Sequence, residues 1–207
     1  MEQKNQEPTL TRLMNELDLA IKSGNGRSIV LNLQLHSEHY VNEIVSELIK
    51  NPAKEIIITS LVFPKKLEIL KKIDILNDKT KNILLKLNEV RDFLVHNLII
   101  DEKVVSNKLN GCNFGFNYSW EFISESGKKK WLHSIDLSES YKNFPDKFVQ
   151  MQISVAVIIG ILYHRLKKLR KEFPNQFITL NPRKEKERWL MDIKVIEAVE
   201  VKESQNY

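Results

Sequence analysis

The chain has 207 residues, 42% hydrophobic and 29% charged, with 6 Gly, 6 Pro, a single Cys and a formal net charge of +5 at pH 7. This is too apolar for a disordered chain, and it excludes collagen-like and disulfide-scaffold classes. The length suits one domain with its own core, and the scarcity of Gly and Pro favours helices.

Cys112 has no second cysteine to pair with, so an internal disulfide and a Cys-x-x-Cys site are both excluded. A reducing, cytoplasmic setting is the expectation. The segment MEQKNQEPTL has no apolar stretch of the secretory kind. The most apolar run, Ile153 to Tyr163, is eleven residues, whereas a membrane span needs about twenty. It reads as a buried helix, and no membrane partner is expected. The positive balance admits an anionic partner such as nucleic acid without requiring one.

Residues 1–8 read as a polar tail. Leu13, Leu17 and Ile21 predict a helix over Thr11 to Lys22, closed by Ser23-Gly24-Asn25-Gly26. A longer helix follows from Ser28 to Lys50, with Ile29, Leu33, Tyr40, Ile44 and Leu48 on one stripe and Asn51-Pro52 at its end. Glu55 to Val62 fits either a strand or a buried helical turn. Pro64 suits the first turn of a helix reaching Ile73. Asn77 or Asp78 caps the next helix, about Lys79 to Ile99. Phe114, Phe116, Tyr118, Trp120 and Phe122 alternate with small or polar residues, which predicts a strand. With a turn around Gly127 and a return over Trp131 to Leu137, the expectation is a β-hairpin inserted at about 111–137. Pro145 opens a long helix to Glu172, with Phe148, Val155, Ile158, Ile159, Leu162, Leu166 and Leu169 as its core stripe. Residues 173–207 form an extension in which Phe177 to Leu180 suits a strand, and Glu185 to Val199 fits helix or strand equally. The fold class expected is mainly α: one helical domain over about 9–172 with the hairpin inserted.

Chemistry concentrates in Leu87-Asn88-Glu89-Val90-Arg91-Asp92-Phe93-Leu94-Val95-His96-Asn97. At about 100° per residue, Ile83, Leu87, Val90 and Leu94 form one side. Asp92 and His96 lie opposite with Glu89, and Arg91 sits on the flank. Leu85 and Val95 share that outward face, which suggests a cover such as a second copy of the helix across a two-fold axis.

This segment resembles the HEPN family (higher eukaryotes and prokaryotes nucleotide-binding), all-helical proteins carrying an Arg, a polar residue and then a His. Arg91, Asp92 and His96 match, with four residues between Arg and His; Asp92 stands where Asn is commoner. The run Phe63-Pro64-Lys65-Lys66-Leu67-Glu68-Ile69-Leu70 before that helix is also similar to small bacterial HEPN-like and mannitol-repressor-like proteins. The likeness covers about residues 28–100, with 145–172 completing the bundle. It implies a metal-independent endoribonuclease, a toxin or antiviral defence effector, acting on RNA at a site shared across a homodimer, with an antitoxin or regulatory protein as a further partner. No cofactor and no metal are expected.

The residue types suit that hydrolase chemistry. A His moves protons near neutral pH, and an Arg supplies a permanent bidentate cation for charge developing on phosphorus. Asp92 either orients the His96 ring or pairs with Arg91. Against this stand two blander readings: a surface salt-bridge cluster on an amphipathic helix, and a HEPN-like interaction or regulatory module without catalysis.

Other clusters read as structural. His36 and His39 make an H-x-x-H near Glu38 and Glu43, but no third His or Cys ligand is placed, so an interior hydrogen-bonded His36 is expected. Lys128-Lys129-Lys130 beside Tyr118, Trp120 and Trp131 reads as a solvated hairpin tip. The basic stretches His164 to Lys171 and Arg183 to Arg188 read as solvated faces able to guide RNA. No phosphate-binding Gly-rich loop or nucleophile elbow is present.

Overall fold

The helix starts read from the sequence recur in the computed structural model, which describes residues 10–22, 25–49, 54–97, 102–123, 130–141, 146–172, 176–185 and 188–197. In chain order these form α1 (Leu10–Lys22), α2 (Gly26–Leu48), α3 (Lys54–Ser60), α4 (Phe63–Lys72), α5 (Asp78–His96) and α6 (Glu102–Leu109). Then come β1 (Asn117–Ile123), β2 (Lys130–Asp136), α7 (Leu137–Ser140), α8 (Lys147–Leu169), β3 (Gln176–Glu185) and β4 (Arg188–Glu197). The fold is mainly α with β-hairpins attached. The expected polar tail, residues 1–8, lies outside the described residues.

Caps explain the boundaries. The Asn25 side chain accepts from the Ser28 amide at 3.1 Å and starts α2. Asn77 does the same for α5 through the Thr80 amide at 2.9 Å, and Asp146 for α8 through the Phe148 amide at 2.8 Å. Each oxygen satisfies a donor that has no partner inside its helix. Pro64 occupies the first turn of α4, where its missing N–H costs nothing. The undecided segment Glu55 to Val62 is helical through Ser60.

The core is built around α8, which packs against α1, α2, α5 and α6 and touches β3 and β4. Every residue from Gln150 to His164 is buried. The single core stripe expected for this helix is therefore corrected: α8 is the axis of the bundle and is covered all round, as a helix apolar on most sides must be. Leu169, placed on that stripe, is exposed. By length and composition α8 is apolar enough to cross a membrane, and most of it lies inside the fold.

Three further boundaries differ from expectation. Helix α5 ends at His96 and not at Ile99, and α8 ends at Leu169 and not at Glu172. The strand expected from Phe114 begins at Asn117, because Phe114, Gly115 and Phe116 are all buried in succession and belong to the core. Helix α6 had no expectation attached to it. The first hairpin pairs β1 with β2 antiparallel from Asn117↔Asp136 to Ile123↔Lys130. The extension supplies a second one, β3 with β4, from Gln176↔Glu197 to Glu185↔Arg188. Of the undecided run Glu185 to Val199, the described residues are strand.

A buried polar relay ties the first hairpin to the axis. Ser154 Oγ donates to the Phe114 carbonyl at 2.7 Å and lies 2.6 Å from the Tyr141 hydroxyl, which is 2.9 Å from the Gln150 carbonyl. The chain folds back tightly at Gly115, where an added Cβ meets the Ser138 Cα at 2.8 Å.

Candidate active site on helix α5

Helix α5 buries Ile83, Leu84, Leu87, Val90 and Leu94 against α2, α4 and α8. That anchors one side and turns the chemistry-bearing residues outward or toward α2. Leu85, expected on the outward face, is half-buried against the core, whereas Val95 is 51% exposed.

Arg91 and Asp92 come together. Arg91 Nη1 lies 2.9 Å from Asp92 Oδ1, and Arg91 Nη2 donates to Asn88 Oδ1 at 3.1 Å. Asn88 Nδ2 donates to Asp92 Oδ2 at 3.2 Å. These three side chains form a closed ring of polar contacts on successive turns. Across the groove, Gln34 Nε2 on α2 donates to Glu38 Oε1 at 3.0 Å and reaches Asn88 Oδ1 at 3.5 Å. Glu38 Oε1 stands 4.0 Å from Arg91 Nη2. Of the two roles expected for Asp92, pairing with Arg91 is the one observed.

His96 does not join them. It is exposed and makes no hydrogen bond or ion pair with any described residue. The reason is angular: five residues on an α-helix turn about 140°, so Arg91 leans toward α2 while His96 faces solvent at the helix end. Within one chain, the guanidinium and the imidazole do not converge.

The end of α5 is held by groups the sequence reading did not single out. Arg27, in the first turn of α2, donates from Nη2 to the Leu94 carbonyl and to the Asn97 carbonyl, the latter at 2.8 Å. Asn97 Nδ2 donates to the Phe93 carbonyl at 2.7 Å. Three carbonyls that the helix terminus leaves open are thereby satisfied on either side of His96. Lys108 of α6 stands 4.6 Å over the Phe93 ring. Gln34 and Glu38, like Asn88 and Asp92, sit at i,i+4 spacing and carry a signal in the sequence. Arg27 carries none, since its partners lie 67 and 70 positions away.

His36, His39 and His164 sit in structural surroundings. His36 is buried with Nε2 3.5 Å from Glu16 Oε2. Burial pushes its imidazole below the ordinary value, and the Glu16 carboxylate partly opposes that. His39 is half-buried against the edge of Tyr40, at 5.0 Å between ring centres. Among the described residues no three His, Cys, Asp or Glu side chains gather as a metal site requires. His164, expected in a solvated basic stretch, is buried beside Tyr163. In the same stretch Arg170 pairs with Glu43 and Glu47 at 2.5 and 2.7 Å, and Lys167 pairs with Glu172. Two of the five cations in that stretch, Lys167 and Arg170, are thus matched by carboxylates. Lys128 and Lys129 lie outside the described residues. Comparison of the chain with protein-family models, with curated proteins and with solved structures finds no match to any of them.

Proposed function

We propose that the chain is a HEPN-type, metal-independent endoribonuclease, a toxin or phage-defence effector that cuts RNA at a site formed across a homodimer. The observation that carries this reading is His96: a solvent-exposed imidazole without a partner among the described residues, at the end of a helix, one turn beyond the Arg91–Asp92 pair. A proton-transfer group has to be reachable, and His is the side chain whose charge changes near neutral pH. Val95 beside it is an exposed apolar residue, at 51%, and Leu35 on α2 is another, at 60%. A second copy packed over Val95 removes it from water and gathers two imidazoles.

The chemistry then balances. One His96 takes the proton of a ribose 2′-OH, and the 2′-oxygen attacks the adjacent phosphorus. The bond from phosphorus to the 5′-oxygen breaks, and the His96 of the second copy, protonated, gives its proton to that oxygen. The products are a 2′,3′-cyclic phosphate and a 5′-hydroxyl. Arg91, held by Asp92 and Asn88, presents its charge from the flank.

One observation favours a second reading, a non-catalytic HEPN-like module that binds a protein or RNA partner: the Arg91 charge is already engaged by Asp92 and faces Glu38. Purified protein incubated with total RNA in EDTA separates the two. Cleavage with cyclic-phosphate ends, lost in His96→Ala while light scattering still reports a dimer, supports the nuclease. Intact RNA with wild-type protein supports the module, and full activity in His96→Ala refutes the assignment of the imidazole.

A further inference from the structure

We propose that Arg27, rather than Arg91 alone, supplies the phosphate-holding cation beside His96, so that the candidate site includes the first turn of α2; this rests on the reading of the α5 end as an RNA site. Charge matching separates the two arginines. Arg91 is 2.9 Å from a carboxylate. Arg27 makes no ion pair with any described carboxylate, and among the described residues its guanidinium meets two neutral carbonyls. An unmatched, half-buried guanidinium is costly to keep unless it meets an anion or a dipole. The carboxyl end of α5 supplies the dipole.

Stoichiometry leaves room for an anion. A guanidinium has five N–H donors in a fixed fork, and both Nη2 hydrogens are spent, one on Leu94 and one on Asn97. Nε and Nη1 carry three more, which meet no described residue. The two carbonyls bracket His96, so the remaining donors belong to a side chain anchored within one turn of the imidazole. The anchoring also removes the rotamer freedom a surface Arg loses when it grips a phosphodiester. Arg27 thus has two linked roles: it positions the end of α5, and it offers a preorganised charge to the RNA backbone.

The test uses the full-length protein and a short 2′-O-methylated oligouridylate, which binds but lacks the 2′-OH needed for cleavage. Affinity is measured across a range of salt concentrations. Arg27→Gln is expected to weaken binding about tenfold, the loss of one charge-assisted contact, and to reduce the slope of log affinity against log salt by about 0.7, one single-strand phosphate contact. Arg27→Lys is expected to restore the slope. Arg91→Gln is expected to change the slope less, because its charge is already matched. Wild-type affinity and slope in Arg27→Gln overturn the inference, as does a wild-type protein that does not bind the oligonucleotide. If Arg27→Gln fails to fold, the Arg27 Nε–H resonance of the wild-type protein decides: it must shift when oligonucleotide is added, and an unmoved resonance overturns the inference. A wild-type protein that binds but does not cut unmodified RNA refutes the nuclease reading and leaves the Arg27 result to be judged on the slope alone.

Discussion

Replacing Ser154 by Ala tests the buried relay that fastens the first hairpin to the bundle axis. Three oxygen–oxygen contacts meet there, Tyr141 to Gln150, Tyr141 to Ser154 and Ser154 to Phe114, at 2.9, 2.6 and 2.7 Å. Only two hydroxyl protons are available for them. The Gln150 carbonyl lies inside α8 and has the helical ladder to satisfy it, whereas the Phe114 carbonyl lies in irregular backbone. Ser154 therefore donates to the Phe114 carbonyl, and the Tyr141 proton is shared between Ser154 and the Gln150 carbonyl. Burial pushes the Tyr141 hydroxyl far above its ordinary pKa, so it remains a donor throughout the working range. Ser154→Ala strips the Phe114 carbonyl of its donor, at a cost of about 1–3 kcal/mol for a buried unsatisfied group. Tyr141→Phe removes one bond while leaving that carbonyl satisfied, for about 1 kcal/mol. Urea unfolding of both variants and of the double mutant reads these values, with an unchanged denaturant slope as the check that only stability moved. A Ser154→Ala variant as stable as wild type, or less damaged than Tyr141→Phe, refutes the assigned direction of the relay.

Two further outcomes follow from packing and charge. Gly115→Ala places a methyl 2.8 Å from the Ser138 backbone, so either the turn before β1 or α7 must shift; a loss of about 1–3 kcal/mol is expected on thermal or chemical unfolding. His36 is held below the ordinary His value by burial, so the unfolded chain takes up its proton first as pH falls. Stability is then complete above about pH 6.5, the unfolded value, and declines as pH drops through the folded one. Unfolding curves across this window should flatten in His36→Gln, and an unchanged pH slope in that variant contradicts the assignment.

Most of the helical frame was legible because its signals are local. Asn25, Pro64 and Asn77 mark helix starts by chemistry confined to a few residues. The misreadings have a common cause in tertiary context. The period-two run Phe114, Phe116, Tyr118 suggested strand throughout, yet the first two side chains are core anchors ahead of the strand. The hairpin of β3 and β4 hid behind Pro182 and a dense run of charges, which argue against a central strand but not against a two-stranded ribbon with two edges. At the candidate site, the register of Asp92 and Arg91 on α5 was readable from helical geometry. Their engagement with Gln34 and Glu38 was not, and Arg27 was invisible, because a contact spanning some seventy positions leaves no trace in spacing.

The position of α8 in the chain has a consequence for biosynthesis. The segment that becomes the hub of the fold is made after α1 to α6, so while the ribosome is still at work their oily sides surround a missing spindle. The faces of α1, α2, α5 and α6 that meet α8 stay uncovered until that spindle emerges. Maturation of the whole body is thereby deferred to the last part of translation, and a chain cut short before Lys147 is a client for chaperones and proteases.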